Sequence, residues 1–554
     1  MNKKVCSFPI LFALLALLIG TCAVVFPASA QAAPTSTGSI TVSGTVASSY
    51  DAYQIFSANV VDGNSDAKIA TDLAWASDAV RDAALPVLHS AGMPNSQTTA
   101  QEASEWLNAD SHLTSALSAQ LARSLQSSGA VSVALNAGTE AELPCGYWLI
   151  VADDDAIAEG EAGSAPIMTL VGGSAVTVKP KAATPKVAKH VLEDSTAAWQ
   201  KAADATVADD LYWRLSATVP AGLTAYDTYT VQFVDTMSAG LDLSKVAASM
   251  RVYVAAGADG GFDAVSAGKD GRAGTEPAKG WTDITAQCRV SVDGKTFTVR
   301  TGDLIAALGG AEAFTAGARV VAVYNAPLNS ACNHGIAKGN PNEVYLRYPR
   351  SPFADQSGDA GFTRTPSDDA CAYTWDLALT KRGSDGDKPL AGAVLSIADD
   401  RGRTLAADGT WDAEDKATVT TGEDGRVTVS GVDSGKLGVR ELKAPKGYTA
   451  FEGTRSVTVK AEGLDVDQVA AAKPKLTITA ESPLRADSAD GSTGSLEASL
   501  INTPTGTPPS ITTGGFMPST GDMAMYAAAA AAVAGAALIV VALLVKRGGG
   551  SHKE

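Results

Sequence analysis

The chain has 554 residues, a net charge of −17 and 45% hydrophobic residues. Lys3 and Lys4 at the start, and two acids against three bases after residue 520, leave −20 on residues 31–520. So acidic a surface is soluble and self-repelling, which excludes nucleic acid as the expected partner, and about 490 residues exceed one hydrophobic core and imply about three domains.

Lys3 and Lys4 precede an apolar stretch, Pro9 to Val25, and the small-residue sites Ala28-Ser29-Ala30 and Ala30-Gln31-Ala32. That pattern is a secretory signal peptide, so residues 1–32 are read as removed and the mature chain as starting near Gln31 or Ala33. A lipobox around Cys22 is the rival, but Thr21 stands where such a box wants Gly, Ala or Ser.

Residues 33–182 mix strand-like runs (SITVSGTV from Ser39, GYWLIV from Gly146) with an Ala/Ser/Leu-rich middle, 66–128, that reads as helical. An α+β domain is expected. VTVKPKAATPKV (176–187) holds two prolines and loses its apolar pattern after Val178, which marks a linker. In residues 183–352, short β-branched runs alternate with Gly/Asp turns: YTVQFV from Tyr229, RVYV from Arg251, TFTV from Thr296, ARVVAVY from Ala318 and VYLRY from Val344. The pattern predicts a β-sandwich. Residues 353–370 read as a polar connector, residues 373–503 repeat the sandwich pattern, and residues 504–516 form a Pro/Gly/Thr spacer suited to holding the rest off a surface.

The apolar run from Met523 to Val545 is 23 residues long and uncharged. At about 1.5 Å per residue it crosses a hydrocarbon core of about 30 Å. Lys546, Arg547 and Lys553 follow, which places everything before Met523 outside the cell.

Four cysteines follow the signal segment: Cys145, Cys288, Cys332 and Cys371. Export permits disulfides, four cysteines allow three pairings, and Cys288 with Cys332 is the expected pair because both fall in one domain. The histidines at 89, 112, 190, 334 and 552 are scattered and no CxxC occurs, so neither metal nor cofactor is expected. No Ser/His/Asp, Cys/His or paired-carboxylate motif suggests a hydrolase, and the chain is read as a non-enzyme.

Met517-Pro518-Ser519-Thr520-Gly521, with the span and basic tail behind it, resembles the LPxTG sorting signal of Gram-positive surface proteins, with Met where Leu is usual. Residues 517–554 then form a cell-wall sorting signal: proline fixes an extended substrate and Gly521 leaves the scissile amide unhindered. The resemblance implies that a sortase cysteine attacks the Thr520 carbonyl and passes it to an amine. VTVKPK (176–181) resembles the pilin motif of sortase-built pili, with Lys179 replacing Tyr, and Lys181 is the matching amine; Lys186 and Lys189 lie nearby.

Two further resemblances concern covalent bonds inside the domains. Leu379-Thr-Lys381, Leu390-Ala-Gly-Ala393, the GVRELKAPKGY run from Gly438 to Tyr448, and Leu500-Ile-Asn502 resemble, in that order, the collagen-adhesin B-type (Cna-B) Ig-like domain and its E-box. The resemblance implies an isopeptide bond from Lys381 to Asn502, promoted by Glu441. A buried lysine loses its proton easily, and a buried carboxyl keeps its own and can polarise the Asn carbonyl. TPKVAKHV from Thr184, FVDTMSAGL from Phe233 and GNPNEVYLRY from Gly339 resemble the isopeptide-forming fimbrial D2 domain, which implies Lys189 as amine, Asp235 as acid and Asn342 as acceptor. That family often continues Tyr-Ser-Asn where this chain has Tyr348-Pro349-Arg350; if the later Asn is the acceptor, no bond forms. The first domain, with YDAYQIF from Tyr50 and PCGYWLIV from Pro144, resembles pilin N-terminal domains.

The expected fold is therefore mainly β, tandem Ig-like sandwiches after an α+β pilin domain, with one C-terminal transmembrane helix. The resemblances imply a sortase-assembled backbone pilin on a Gram-positive surface, its partners class C-type and housekeeping sortases, identical and minor pilins, and peptidoglycan. The alternative is a monomeric wall-anchored adhesin or minor pilin that holds a host ligand, and Lys181 discriminates, since an adhesin needs only the C-terminal signal.

Overall fold

A computed structural model describes residues 36–506 except 45, 65–66, 110, 182, 208, 258–278, 315 and 413–415. The signal segment, the sorting signal with Thr520, and the expected transmembrane helix at 523–545 lie outside the described residues. Among the described residues no helix is long and apolar enough to cross a membrane.

The architecture is mostly β. In the first unit, Thr37–Val42 buries Ile40 and Val42 on one face, as period-2 alternation requires, and pairs antiparallel with Glu140–Pro144 and parallel with Val176–Val178. A five-stranded sheet centred on Ser49–Asp62 and Gly146–Ala152 packs under three helices, Asp78–Ser90, Ala100–Asn108 and Ser115–Ser128. Each helix starts on a hydroxyl cap, Ser77, Thr99 or Thr114, and Thr99 forms a full capping box with Glu102.

The middle unit is a sandwich. One sheet runs, in order, Ala198–Gln200, Lys186–Glu193, Tyr212–Val219, Ala318–Asn325, Arg251–Ala256 and Thr282–Asp283. The facing sheet contains Asn340–Pro349 between Asp368–Tyr373 and Gln232–Met237. Trp213, Leu215, Phe233, Phe297, Val320, Val344 and Leu346 fill the space between them. Residues 353–370 are not a plain connector: Phe362–Arg364 and the start of Asp368–Tyr373 pair with Asn340–Pro349. The charged side chains that read as linker serve the sheet, because Asp368 accepts the Lys189 backbone N–H at 2.6 Å and pairs with Lys201.

The last unit is a second sandwich. Trp375–Gly383 lies between Arg426–Val432 and Ser495–Asn502 in a four-stranded sheet, which faces a seven-stranded sheet holding Gly435–Lys443. Its first and last strands, Trp375–Gly383 and Ser495–Asn502, are parallel neighbours, with Lys381 opposite Leu500 and Gly383 opposite Asn502.

Candidate functional site

In the middle sandwich, Lys189 projects inward from one sheet, while Asp235 and Asn342 project from the other. Asp235 pairs with Val344 and Met237 with Asn342, so the carboxylate and the carboxamide are diagonal neighbours on one face. All three side chains are fully buried. Lys189 Nζ donates to Asp235 Oδ2 and, at 2.9 Å, to the Tyr324 hydroxyl. Tyr324 in turn donates to Asp235 Oδ2 at 3.1 Å and accepts from Asn342 Nδ2 at 2.9 Å. The rings of Trp213 and Tyr324 lie 5.4 Å from Nζ and exclude water.

An ammonium in such a place is costly, so burial pushes Lys189 down to about 8 despite the pull of Asp235. Burial likewise raises Asp235, against the opposing pull of Lys189. Both shifts favour a neutral amine beside a protonated acid. Asp235 Oδ1 and Asn342 Oδ1 are buried and have no hydrogen-bond partner among the described residues. The chemistry open to this set is attack of a neutral amine on a carboxamide whose oxygen is free to be polarised.

The last sandwich repeats the set with different spacing. Lys381 Nζ and Asn502 sit on the two parallel strands of one sheet, and Glu441 comes from the facing sheet. Lys381 Nζ donates to Leu500 O at 3.0 Å and lies 3.9 Å from Glu441 Oε1. Asn502 Nδ2 donates to both Glu441 oxygens, at 2.9 and 3.0 Å, and Glu441 Oε2 also accepts the Phe451 N–H at 3.1 Å. Burial pushes Lys381 down to about 8, with Glu441 pulling the other way. Asn502 Oδ1, like Asn342 Oδ1, is buried without a partner among the described residues.

The remaining named residues separate. Lys181 is exposed three residues past Val176–Val178, where the chain leaves the first unit for the strand Lys186–Glu193. Lys186 is also exposed, whereas Lys189 is buried. At the position where a later asparagine was considered, Arg350 donates instead to Asp154 O of the first unit at 3.3 Å. The Cys288–Cys332 pairing is corrected: all four cysteines among the described residues are free thiols. Sharing a domain did not bring the two together, since Cys288 Sγ donates to Ile284 O at 3.3 Å while Cys332 Sγ faces His334 Nε2 at 3.7 Å. Tyr324 went unnamed in the sequence. It closes an apolar run whose alternate members face the core, and a phenol on that face needs a hydroxyl partner, which was the available signal.

Fold and site together define a chain of β-sandwiches in which two cores each hold a lysine, an acid and an asparagine. Residues 376–473 match SpaA, a prealbumin-like fold domain. The chain is 30% identical over 143 residues to the trypsin-resistant surface T6 protein of Streptococcus pyogenes serotype M6 and spans 24% of that relative's length. Among solved structures, the T6 backbone pilin of Streptococcus pyogenes aligns with 85% of this chain and 98% of its own, at 16% identity and a TM-score of 0.46. The full-length major pilin SpaD from Corynebacterium diphtheriae aligns with 86% and 100%, at 15% identity and a TM-score of 0.41.

Proposed function

We propose that this chain is a structural subunit of a covalently polymerised pilus on a Gram-positive surface. The observation that carries the reading is the occurrence, in two separate sandwich cores, of a buried lysine beside a buried acid and a carboxamide with a free oxygen. In each, the lysine Nζ bonds to the asparagine Cγ, the Cγ–Nδ2 bond breaks, and ammonia leaves with the proton that Nζ gives up. The acids Asp235 and Glu441 promote the step, each bond forming once, so the chemistry is self-modification and not turnover. A cross-link restricts the unfolded chain much as a disulfide does, by about 2–4 kcal/mol, and thiols do not reduce it.

Between subunits, a sortase breaks the Thr520–Gly521 bond and joins the Thr520 carbonyl to Lys181 of a neighbour. The exposure of Lys181 at the end of the first unit supports its role as acceptor. The prealbumin-like SpaA match over residues 376–473 supports the sandwich reading of the last unit, and in this proposal peptidoglycan is the final attachment.

The test has two parts. Intact mass of the secreted chain should fall short of the sequence mass by two ammonia, and Lys189→Ala and Lys381→Ala should each restore one. Lys181→Arg should abolish the polymer ladder in cells while both ammonia losses persist. A chain of full sequence mass would remove the internal bonds, and undiminished polymer from Lys181→Arg would move the linkage to another amine.

A further inference from the structure

The two sites differ in how the acid reaches the carboxamide. Glu441 places both oxygens on Asn502 Nδ2 directly. Asp235 is one methylene shorter, and the Tyr324 hydroxyl stands between it and Asn342: Asp235 Oδ2 accepts from Tyr324, and Tyr324 accepts from Asn342 Nδ2. The same Oδ2 accepts from Lys189 Nζ. An unbroken hydrogen-bonded path therefore runs Nζ, Asp235 Oδ2, Tyr324 hydroxyl, Nδ2. Its first atom must lose a proton in amide formation and its last must gain one.

We propose that Tyr324 is a catalytic residue of the middle site, which delivers the proton that lets Asn342 Nδ2 depart as ammonia. This rests on the reading that Lys189 bonds to Asn342. Protonated Asp235 gives its proton to Asn342 Oδ1 as Nζ attacks Cγ, and then takes the proton that Nζ gives up; the Tyr324 hydroxyl turns to donate its proton to Nδ2; the Cγ–Nδ2 bond breaks and ammonia leaves; and Tyr324 recovers a proton from Asp235, which takes back the one lent to Oδ1. Lysine and asparagine become one amide plus ammonia, with no change of oxidation state, and both Tyr324 and Asp235 end as they began. The ring is held for this: it packs edge-on against Phe297 at 4.9 Å, and the residue is fully buried. Burial holds the phenol well above its ordinary range, so it remains a proton donor at any physiological pH.

The experiment follows full-length chain made by cell-free synthesis. Synthesis is stopped and the linked peptides are counted over time by mass spectrometry after digestion, in wild type, Tyr324→Phe, Lys189→Ala and the Lys189→Ala/Tyr324→Phe pair. The expected result is a Lys189–Asn342 peptide that forms about 10²-fold more slowly in Tyr324→Phe, with an altered pH profile, while the Lys381–Asn502 peptide in the same molecules forms at the wild-type rate. Equal rates of Lys189–Asn342 linkage in wild type and Tyr324→Phe overturn the proposal and leave the bond standing. No Lys189–Asn342 peptide in wild type overturns the underlying reading instead. A slow Tyr324→Phe whose unlinked double variant also melts below the assay temperature, when Lys189→Ala alone does not, assigns the hydroxyl to packing and overturns its catalytic role.

Discussion

Lys189 and Lys381 are fully buried amines whose affinity for protons is lowered by the same cause, removal from water. A base depressed in the folded state gains neutral fraction as pH rises toward its folded value. Bond formation in newly folded chain should therefore speed up with pH to about 8 at both sites and then level, as timed peptide mapping would show. At the last site, Glu441→Ala removes the acceptor of Asn502 Nδ2 and of the Phe451 N–H. The Lys381–Asn502 peptide should disappear, the Lys189–Asn342 peptide should persist, and the orphaned N–H should add about 1 kcal/mol of destabilisation. The lysines, acids and asparagines could be named from the sequence because each stands in an ordered motif, and the structure brings each trio together. Tyr324 and the thiols illustrate what sequence leaves out. A tyrosine at the end of an apolar run signals a buried hydroxyl in need of a partner but not which groups it bonds, and two cysteines in one domain carry no information on their separation.

Strands were legible wherever period-2 alternation coincided with burial on one face, as in Asn340–Pro349, whose residues 340, 342, 344, 346 and 348 are all buried. Polar edge strands such as Phe362–Arg364 were not, because their partners, not their own composition, make them strands. Helix starts follow from local chemistry, and Thr99→Ala should cost the first unit about 1 kcal/mol in a denaturant titration, since it deletes the capping box of Ala100–Asn108. The contact between loops of the two sandwiches depends on two glycines. Gly335 and Gly494 have φ of +72° and +74°, and a Cβ on Gly494 would lie 2.4 Å from the Gly335 nitrogen. Gly494→Ala should push the two turns apart, seen as faster limited proteolysis at the junction, while both linked peptides still form.

Across the whole molecule, the junction of the two sandwiches is built on carboxylates. Asp204 Oδ2 accepts from Trp375 Nε1 at 2.6 Å and from the Ser434 N–H and hydroxyl at 2.9 and 2.6 Å. Glu193, Asp194 and Asp433 crowd the same place, and Arg401 spans to Asp209 at 2.7 Å. Burial first, with Asp204 adding to it, pushes Glu193 up to about 7, and burial raises Asp433 and Asp194 as well. An acid whose folded pKa is raised stabilises the fold while protonated, and the folded state then binds more protons than the unfolded one. Stability at the junction should therefore decline as pH rises from about 4.5 to about 7 and be greatest on the acid side, which denaturant titrations at either end of that window would check. The parallel pairing of Trp375–Gly383 with Ser495–Asn502 has a mechanical consequence. A pull that enters at Trp375 and leaves past Asn502 loads the two strands in shear, so their hydrogen bonds must yield together and cannot unzip one at a time. A bond from Lys381 to Asn502 shortens that route further: force passes along one strand, crosses once and exits, and residues 382–501 fold and breathe outside the line of strain.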